Sequence, residues 1–264
     1  MKAVVIGSGN VATRLSLAIQ KIPASIIQIY SRSDKNASAL ANRLGTEWTT
    51  QISEISPDAD LYLFAVKDDA LQEIIPQIPV NKGLWVHTAG SVPMDIFTGY
   101  TERYGVLYPL QTFSKNREID LQTVPFFIEA CSPDDEKILV ELARKLSDNV
   151  QTLSSEKRKY VHVAAVFACN FSNHLYALAC KLLEEQNIPQ DVLLPLIDET
   201  VAKIHTLSPL EAQTGPAVRY DLNVMKRHTE LLTNPAMKEI YQLISQNIHN
   251  ENNSFMKTLN KNFL

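Results

Sequence analysis

Cysteine is scarce in this chain of 264 residues: Cys131, Cys169 and Cys180 are the only three, and their spacing shows no metal-ligand pairs. An odd, small number is no disulfide framework and fits a reducing, cytoplasmic setting. The chain also lacks H-E-x-x-H, G-x-x-x-x-G-K-[ST] and G-x-S-x-G. Zinc-protease, P-loop and nucleophile-elbow chemistries therefore find no support, and no metal site is expected. No stretch of eighteen uninterrupted apolar residues occurs, so no membrane span is expected. Met1-Lys2 leads straight into an apolar run, and a signal peptide is not expected. An excess of positive charge is missing too. The 25 Lys and Arg against 29 Asp and Glu leave a net charge of −4, which argues against a dedicated nucleic-acid binder. The short run Lys157-Arg158-Lys159 reads as a solvated helix start.

What is present is enough for a core. Hydrophobic residues make up 45% and charged residues 20%, which excludes extended disorder, and the length allows one large or two ordinary domains. The informative stretch comes first. Lys2–Ile6 is a short apolar run, Gly7-Ser8-Gly9-Asn10-Val11-Ala12 follows at once, and Thr13–Ile22 carries Leu15, Leu17, Ala18, Ile19 and Ile22 at mainly helical spacing. Strand, glycine turn and helix in that order predict a dinucleotide site. Gly7 permits the tight turn, Gly9 lets a pyrophosphate lie against the backbone, and Ala12 is small enough for close helix–strand packing. The helix then aims free N–H groups and its positive dipole end at the phosphates. A structural turn in another α/β protein is the plainer reading of the same residues.

A second apolar run, Ser25–Tyr30, ends in Ser31-Arg32-Ser33. An NAD enzyme usually places an acid at this strand end for the ribose 2′-hydroxyl. Two hydroxyls and a guanidinium stand here instead, and a guanidinium suits a 2′-phosphate. The expected cofactor is NADP(H), with Ser31, Arg32 and Ser33 at the phosphate. A solvated turn with a surface Arg is the alternative. Asp34 is expected to cap the next helix, Lys35–Leu44, and Gly45 to end it.

Strands alternate with helices as far as residue 153. They predict an α/β domain with a doubly wound, mainly parallel sheet over residues 1–153. Ligands bind such sheets at the carboxyl ends of the strands. Those ends carry Gly7–Ala12, Ser31–Ser33, Ala65–Lys67, His87–Ser91 and Pro109–Thr112. Ala65, Val66, Lys67, His87 and Ala89 thus join the expected cofactor contacts. Residues 154–264 read as helices alone. The first, Glu156 to about Gln186 with Ser155 as cap, is about 45 Å long. Its middle, Val161–Phe171, is apolar on nearly every side, so burial all round is expected. One small domain can scarcely bury it alone, and a homodimer through the helical domain follows. The polar tail, Asn250–Leu264, is expected to fray or to pack on a partner.

The stretches VVIGSGNVA (4–12), SRS (31–33), AVKDDAL (65–71), HTAGS (87–91), LYPLQTFS (107–114), HVAAVFACNFSNHL (162–175) and TGPAVRYD (214–221) resemble the Rossmann-like proteins with a C-terminal DUF2520 domain. These are NADP oxidoreductases akin to pyrroline-5-carboxylate reductase and the F420-dependent NADP reductases. The resemblance spans nearly the whole chain. It implies a Rossmann-type domain, then an all-helical domain like the C-terminal domain of 6-phosphogluconate dehydrogenase, and NADP use. Wider relatives, the β-hydroxyacid dehydrogenases, place a catalytic Lys four residues before an Asn on the long helix. Here Asn170 is present but position 166 is Val, so that lysine mechanism does not carry over.

Hydride transfer asks the protein for a positioned cofactor, a proton donor and a dry pocket. At α-helical phase, His162, Val166, Asn170 and Asn173 share one face of the long helix. His162 is the expected general acid, and Asn170 and Asn173 are expected substrate contacts; both also read as buried polar groups with structural partners. His87 is a further candidate for catalysis or cofactor contact, or else a hydrogen bond to its own loop. Gln111 and Thr112, at another strand end, are similar but weaker candidates, with Gln111 expected at the substrate. Arg219 is expected to hold a substrate carboxylate or to belong to a rigid turn, with Asp221 as an N-cap. The expected reaction is hydride transfer between NADP(H) and a small carbonyl or imine compound. The rival is a non-catalytic NADP(H)-binding sensor or scaffold, and S-adenosylmethionine is a third ligand compatible with the same turn.

Overall fold

The computed structural model describes residues 1–262. Its backbone contacts divide into two compact units, Met1–Phe171 and Ser172–Leu264. The change from alternating strands and helices to helices alone comes earlier, between the last strand, which ends at Thr152, and the helix that begins at Ser155.

The first unit is built on one eight-stranded sheet. In chain order its elements are β1 (Lys2–Ile6), α1 (Asn10–Ile19), β2 (Ser25–Tyr30), α2 (Asp34–Leu44), β3 (Glu47–Thr49), β4 (Leu61–Phe64), α3 (Asp68–Ile74), β5 (Leu84–His87), β6 (Tyr104–Pro109), β7 (Phe126–Ala130), α4 (Pro133–Arg144), β8 (Val150–Thr152) and α5 (Ser155–Ala165). The strands lie in the order β3-β2-β1-β4-β5-β6-β7-β8. Every neighbouring pair is parallel except β6 and β7. The direction of winding reverses between β1 and β4, and a crevice opens at such a switch point.

Residues of period two divide between two cores. Ala3 and Val5 of β1 pack with Leu15 and Ile19 of α1 and Leu139 and Leu142 of α4. Val4 and Ile6 pack on the other face with Tyr62, Phe64, Trp85 and Ile74. A strand covered on both sides reads as a continuous apolar run, which is why KAVVI shows no alternation. A smaller cluster of Val106, Tyr108 and Phe127 takes Leu153 and Val161 against it.

Local chemistry sets the ends of the helices. Ser33, not Asp34, caps α2 by accepting from the Asn36 N–H. Asp34 instead sits in the first turn, where its charge answers the helix dipole. Gly45 ends α2 at φ 64°, as expected for a left-handed cap. Ser132 caps α4, with Pro133 opening it. Ser154 precedes α5, and Ser155 is otherwise engaged: its hydroxyl donates to Glu129 at 2.6 Å.

α5 leads into a π-helical turn, Val166–Phe171, and the helical run ends at Glu184. By length and composition alone, Ser155–Glu184 is apolar enough to cross a membrane. Burial all round, expected from the sequence, is not found within the chain. Val163 is 54%, Phe167 65% and Phe171 50% exposed.

The second unit is helical: α6 (Ser172–Glu184), α7 (Leu194–Lys203), α8 (Pro209–Ala212), α9 (Leu222–Leu231) and α10 (Pro235–Asn262). Asp221 caps α9 through the Val224 N–H, as expected. Residues 250–262, expected to fray or to pack on a partner, continue α10. The end of that stretch, residues 263 and 264, lies outside the described residues.

Candidate functional site

At the switch point the chain makes a corner that only glycine fits. Gly7 has φ +125°, and a Cβ there would run into the carbonyl of Ala65 at the end of β4. The Ala65 N–H in turn donates to Ile6 at 2.8 Å. Gly9 is different: a Cβ on it would meet nothing within 4 Å. It stands at the cap of α1, which has no side-chain cap. The first N–H groups of that helix thus face open space with their dipole unanswered. This is the cradle a pyrophosphate needs, and the donors present fit one.

The walls of this cavity, about 640 Å³, hold Gly7, Ser8, Gly9, Asn10, Val11, Ser31, Arg32, Ser33, Ala65, Val66, Lys67, Ala89 and Gln111, all named from the sequence as candidates. Ala12 is not on the wall. It is fully buried behind the turn, where its methyl packs in the core. The Ser8 hydroxyl donates to Ser31 Oγ at 2.7 Å and ties the glycine turn to the end of β2. Arg32 has its side chain 67% exposed and only a loose pair with Glu73 at 3.4 Å. An exposed pair of this kind is worth at most about 1 kcal/mol, so the guanidinium is available to a stronger anion.

The other end of the cavity was only partly visible in the sequence. Thr88, Gly90 and Tyr108 line it with the candidate His162, and Tyr30 and Asp68 complete the wall of the cavity. The Tyr108 hydroxyl lies 3.0 Å from His162 Nδ1. Burial pushes the Tyr108 pKa up, and the Arg158 charge pulls partly against it. The one sequence sign of Tyr108 was its place at a strand end, in a run that also reads as core.

Arg158 explains why His162 is held there. The reading of Arg158 as part of a solvated helix start fails: its side chain is 1% exposed and pairs with Glu129 on β7 at 2.6 Å. It also donates to the Val92 carbonyl at 2.6 Å. Burial raises the Glu129 pKa, but hydrogen bonds from Ser155 and Arg158 and the guanidinium charge outweigh it and lower the net value. Removing one partner of such a buried pair costs about 3–5 kcal/mol. Sequence reasoning had no means to distinguish this Arg from its neighbours, the exposed Lys157 and the half-buried Lys159.

His87 lies away from the cavity wall. It is fully buried at the end of β5, on the same strand face as Trp85, with its ring 5.7 Å from Phe97. The Ala89 N–H donates to Nδ1 at 3.2 Å, and Nε2 lies 3.4 Å from the Pro93 carbonyl. A neutral ring with the proton on Nε2 satisfies both contacts. His87 thus takes up the loop hydrogen-bonding that was the plainer alternative for it.

Asn170 lies in the exposed π-helical turn and is not on the cavity wall. A turn closed by i→i+5 bonds advances less than 100° per residue, so the shared face expected for His162 and Asn170 does not hold across it. Asn173 and Arg219 belong to the second unit, where both are exposed. Gln111 accepts from the Thr112 N–H at 2.7 Å. Among the described residues there is no cluster of metal-ligating side chains. A second groove of about 670 Å³ is lined by Arg43, Arg144 and Lys145, among others. Those cations sit at the C-terminal ends of α2 and α4, where they answer helix dipoles.

Two family models match the chain: NADP oxidoreductase coenzyme F420-dependent over residues 2–86, and the domain of unknown function DUF2520 over residues 124–248. A candidate NADP oxidoreductase from Bacteroides fragilis, BF3122, is 48% identical, with a TM-score of 0.90 over 94% of this chain and 98% of that one. The chain belongs to the Rossmann-type NADP oxidoreductases with a C-terminal DUF2520 domain. More distant structures share the fold. An imine reductase from Myxococcus stipitatus, solved with NADP+, is 15% identical with a TM-score of 0.66 over 98% of this chain and 95% of its own. A 1-pyrroline-5-carboxylate reductase from Streptococcus pyogenes is 14% identical with a TM-score of 0.62 over 95% and 98%. No curated protein matches the chain.

The burial of His87 makes a clear prediction. Burial first, and the Arg158 charge second, lower its pKa from 6.5 to about 3. The unfolded chain therefore takes up the proton before the folded one does. The contribution of His87 to stability is complete above pH 6.5 and declines as pH falls from there toward 3. In NMR titration the His87 ring resonances should stay fixed between roughly pH 5 and 8; a midpoint near the ordinary histidine value would contradict this environment.

Proposed function

We propose that this member of the family catalyses reversible hydride transfer between NADP(H) and a small carbonyl or imine compound. The observation that carries the reading is one cavity with two chemically distinct ends. An uncapped helix N-terminus and an exposed guanidinium stand at one end, and a hydrogen-bonded Tyr108–His162 pair at the other. NADPH supplies the hydride when bound. The backbone N–H groups at Gly9–Val11 hold its pyrophosphate, while Arg32, with Ser31 and Ser33, holds the 2′-phosphate. His162 donates the proton.

In this reading residues 1–153 bind the cofactor and residues 154–264 serve the substrate and the dimer. The apolar stripe Tyr160, Val163, Phe167 and Phe171 supports a homodimer, because four large side chains exposed along one helix need cover. Three free cysteines support a cytoplasmic setting.

Three measurements test the proposal. Arg32→Ala should weaken NADPH binding about tenfold or more relative to NADH, since a charge-assisted contact of about 1.5–3 kcal/mol is lost. Equal weakening of both would remove Arg32 from the 2′-phosphate. The wild-type protein should oxidise NADPH with at least one keto acid or cyclic imine; tight NADPH binding with no turnover across such a panel would favour the sensor reading. Light scattering should report the mass of two chains, and the mass of one would contradict the dimer.

A further inference from the structure

We infer that Tyr108 is a positioning residue for His162, fixing the imidazole so that Nδ1 is committed to the phenol and Nε2 is the nitrogen left for substrate. The inference rests on the reductase reading above and adds to it a residue, a nitrogen and a structural requirement.

Three contacts fix the ring. Tyr108 is 7% exposed and stacks on Phe127, with centroids 6.4 Å apart and 26° between planes, so its hydroxyl has one place to be. That hydroxyl meets His162 Nδ1 at 3.0 Å, and the imidazole stands edge-on to the phenol ring at 69°. The third contact is made by the absence of a side chain. A Cβ on Gly90 would fall 2.5 Å from His162 Nδ1 and 2.9 Å from Tyr108 Cζ. Only glycine at this position lets the loop after β5 close over the pair. The backbone beneath His162 is held as well, because Arg158, one helical turn earlier, binds Glu129 and the Val92 carbonyl. Helix, loop and ring are thus fixed by separate groups that converge on one imidazole.

The chemistry follows from the committed nitrogen. In reduction the substrate carbon gains a hydride from NADPH, and its oxygen or nitrogen must gain a proton. The Nε2–H bond of the His162 imidazolium breaks, and the new O–H or N–H bond forms with that proton. The ring is left neutral with its Nδ1–H donated to the Tyr108 oxygen, and a proton from water restores the imidazolium. A ring free to flip would offer the two nitrogens in turn, and only one of those orientations is productive.

The test uses Tyr108→Phe, which keeps the stack on Phe127 and deletes only the hydroxyl; circular dichroism confirms its fold. Nitrogen-15 NMR of the His162 ring in the unliganded protein is the first readout. The wild type should show one fixed pattern of protonation at Nδ1 and Nε2, and the variant should shift toward a mixture of tautomers. Turnover is the second: kcat should fall about tenfold or more while KM for the substrate moves less. Gly90→Ala should give the same nitrogen shifts by displacing the ring. Unchanged His162 shifts in Tyr108→Phe, or an unchanged kcat, would overturn the inference. A changed tautomer pattern in a protein whose wild type turns over no substrate would support the pairing and overturn the reductase reading instead.

Discussion

The Gly7 α-carbon and the Ala65 carbonyl oxygen approach so closely that no side chain fits between them. That approach joins the ends of β1 and β4, the two strands between which the sheet reverses its winding. It also sets where α1 begins, and hence where its free N–H groups point. A larger residue at Gly7 would have to adopt φ +125° as well as displace β4, two penalties that fall on the same atom. The second wall of the cavity depends on this corner, because the loops after β4 and β5 are linked. The Thr88 N–H donates to the Phe64 carbonyl at 3.2 Å, and the Ser91 hydroxyl donates to Asp68.

Charge is used sparingly and in two different ways. At one end of the cavity, Arg32 is exposed and only loosely paired with Glu73, so it is available to an anion. At the other end, Arg158 is buried with both terminal nitrogens committed to Glu129, Val92 and Ser155, while its Nε has no partner. Its charge helps keep His87 neutral and moderates the Tyr108 pKa. An exposed, loosely paired guanidinium is available to a ligand, whereas one enclosed in the fold serves position.

The parts of this molecule that a reader of the sequence can see are those where one residue type has one physical use. G-x-G after an apolar run is legible because backbone corners of this kind require glycine, and every expected contact from Gly7 to Val11 lines the cavity. Strand ends were legible in the same way. For His87 the sequence left two readings open, ligand contact or a hydrogen bond to its own loop; burial on the same strand face as Trp85 and the loop contacts at Ala89 and Pro93 match the second. Tyr108 reads as an ordinary core aromatic until its hydroxyl is seen against His162. The long helix misled for a different reason. A wheel drawn at constant phase cannot anticipate the π-helical turn at Val166–Phe171, and composition cannot say whether an apolar face is covered by its own chain.

The most direct measurement is a crystal structure of the complex with NADP+. The account predicts the pyrophosphate against the N–H groups of Asn10 and Val11, the 2′-phosphate on Arg32, and the nicotinamide ring beside Tyr108 and His162. A dinucleotide bound elsewhere, or one whose nicotinamide lies away from that pair, would contradict it.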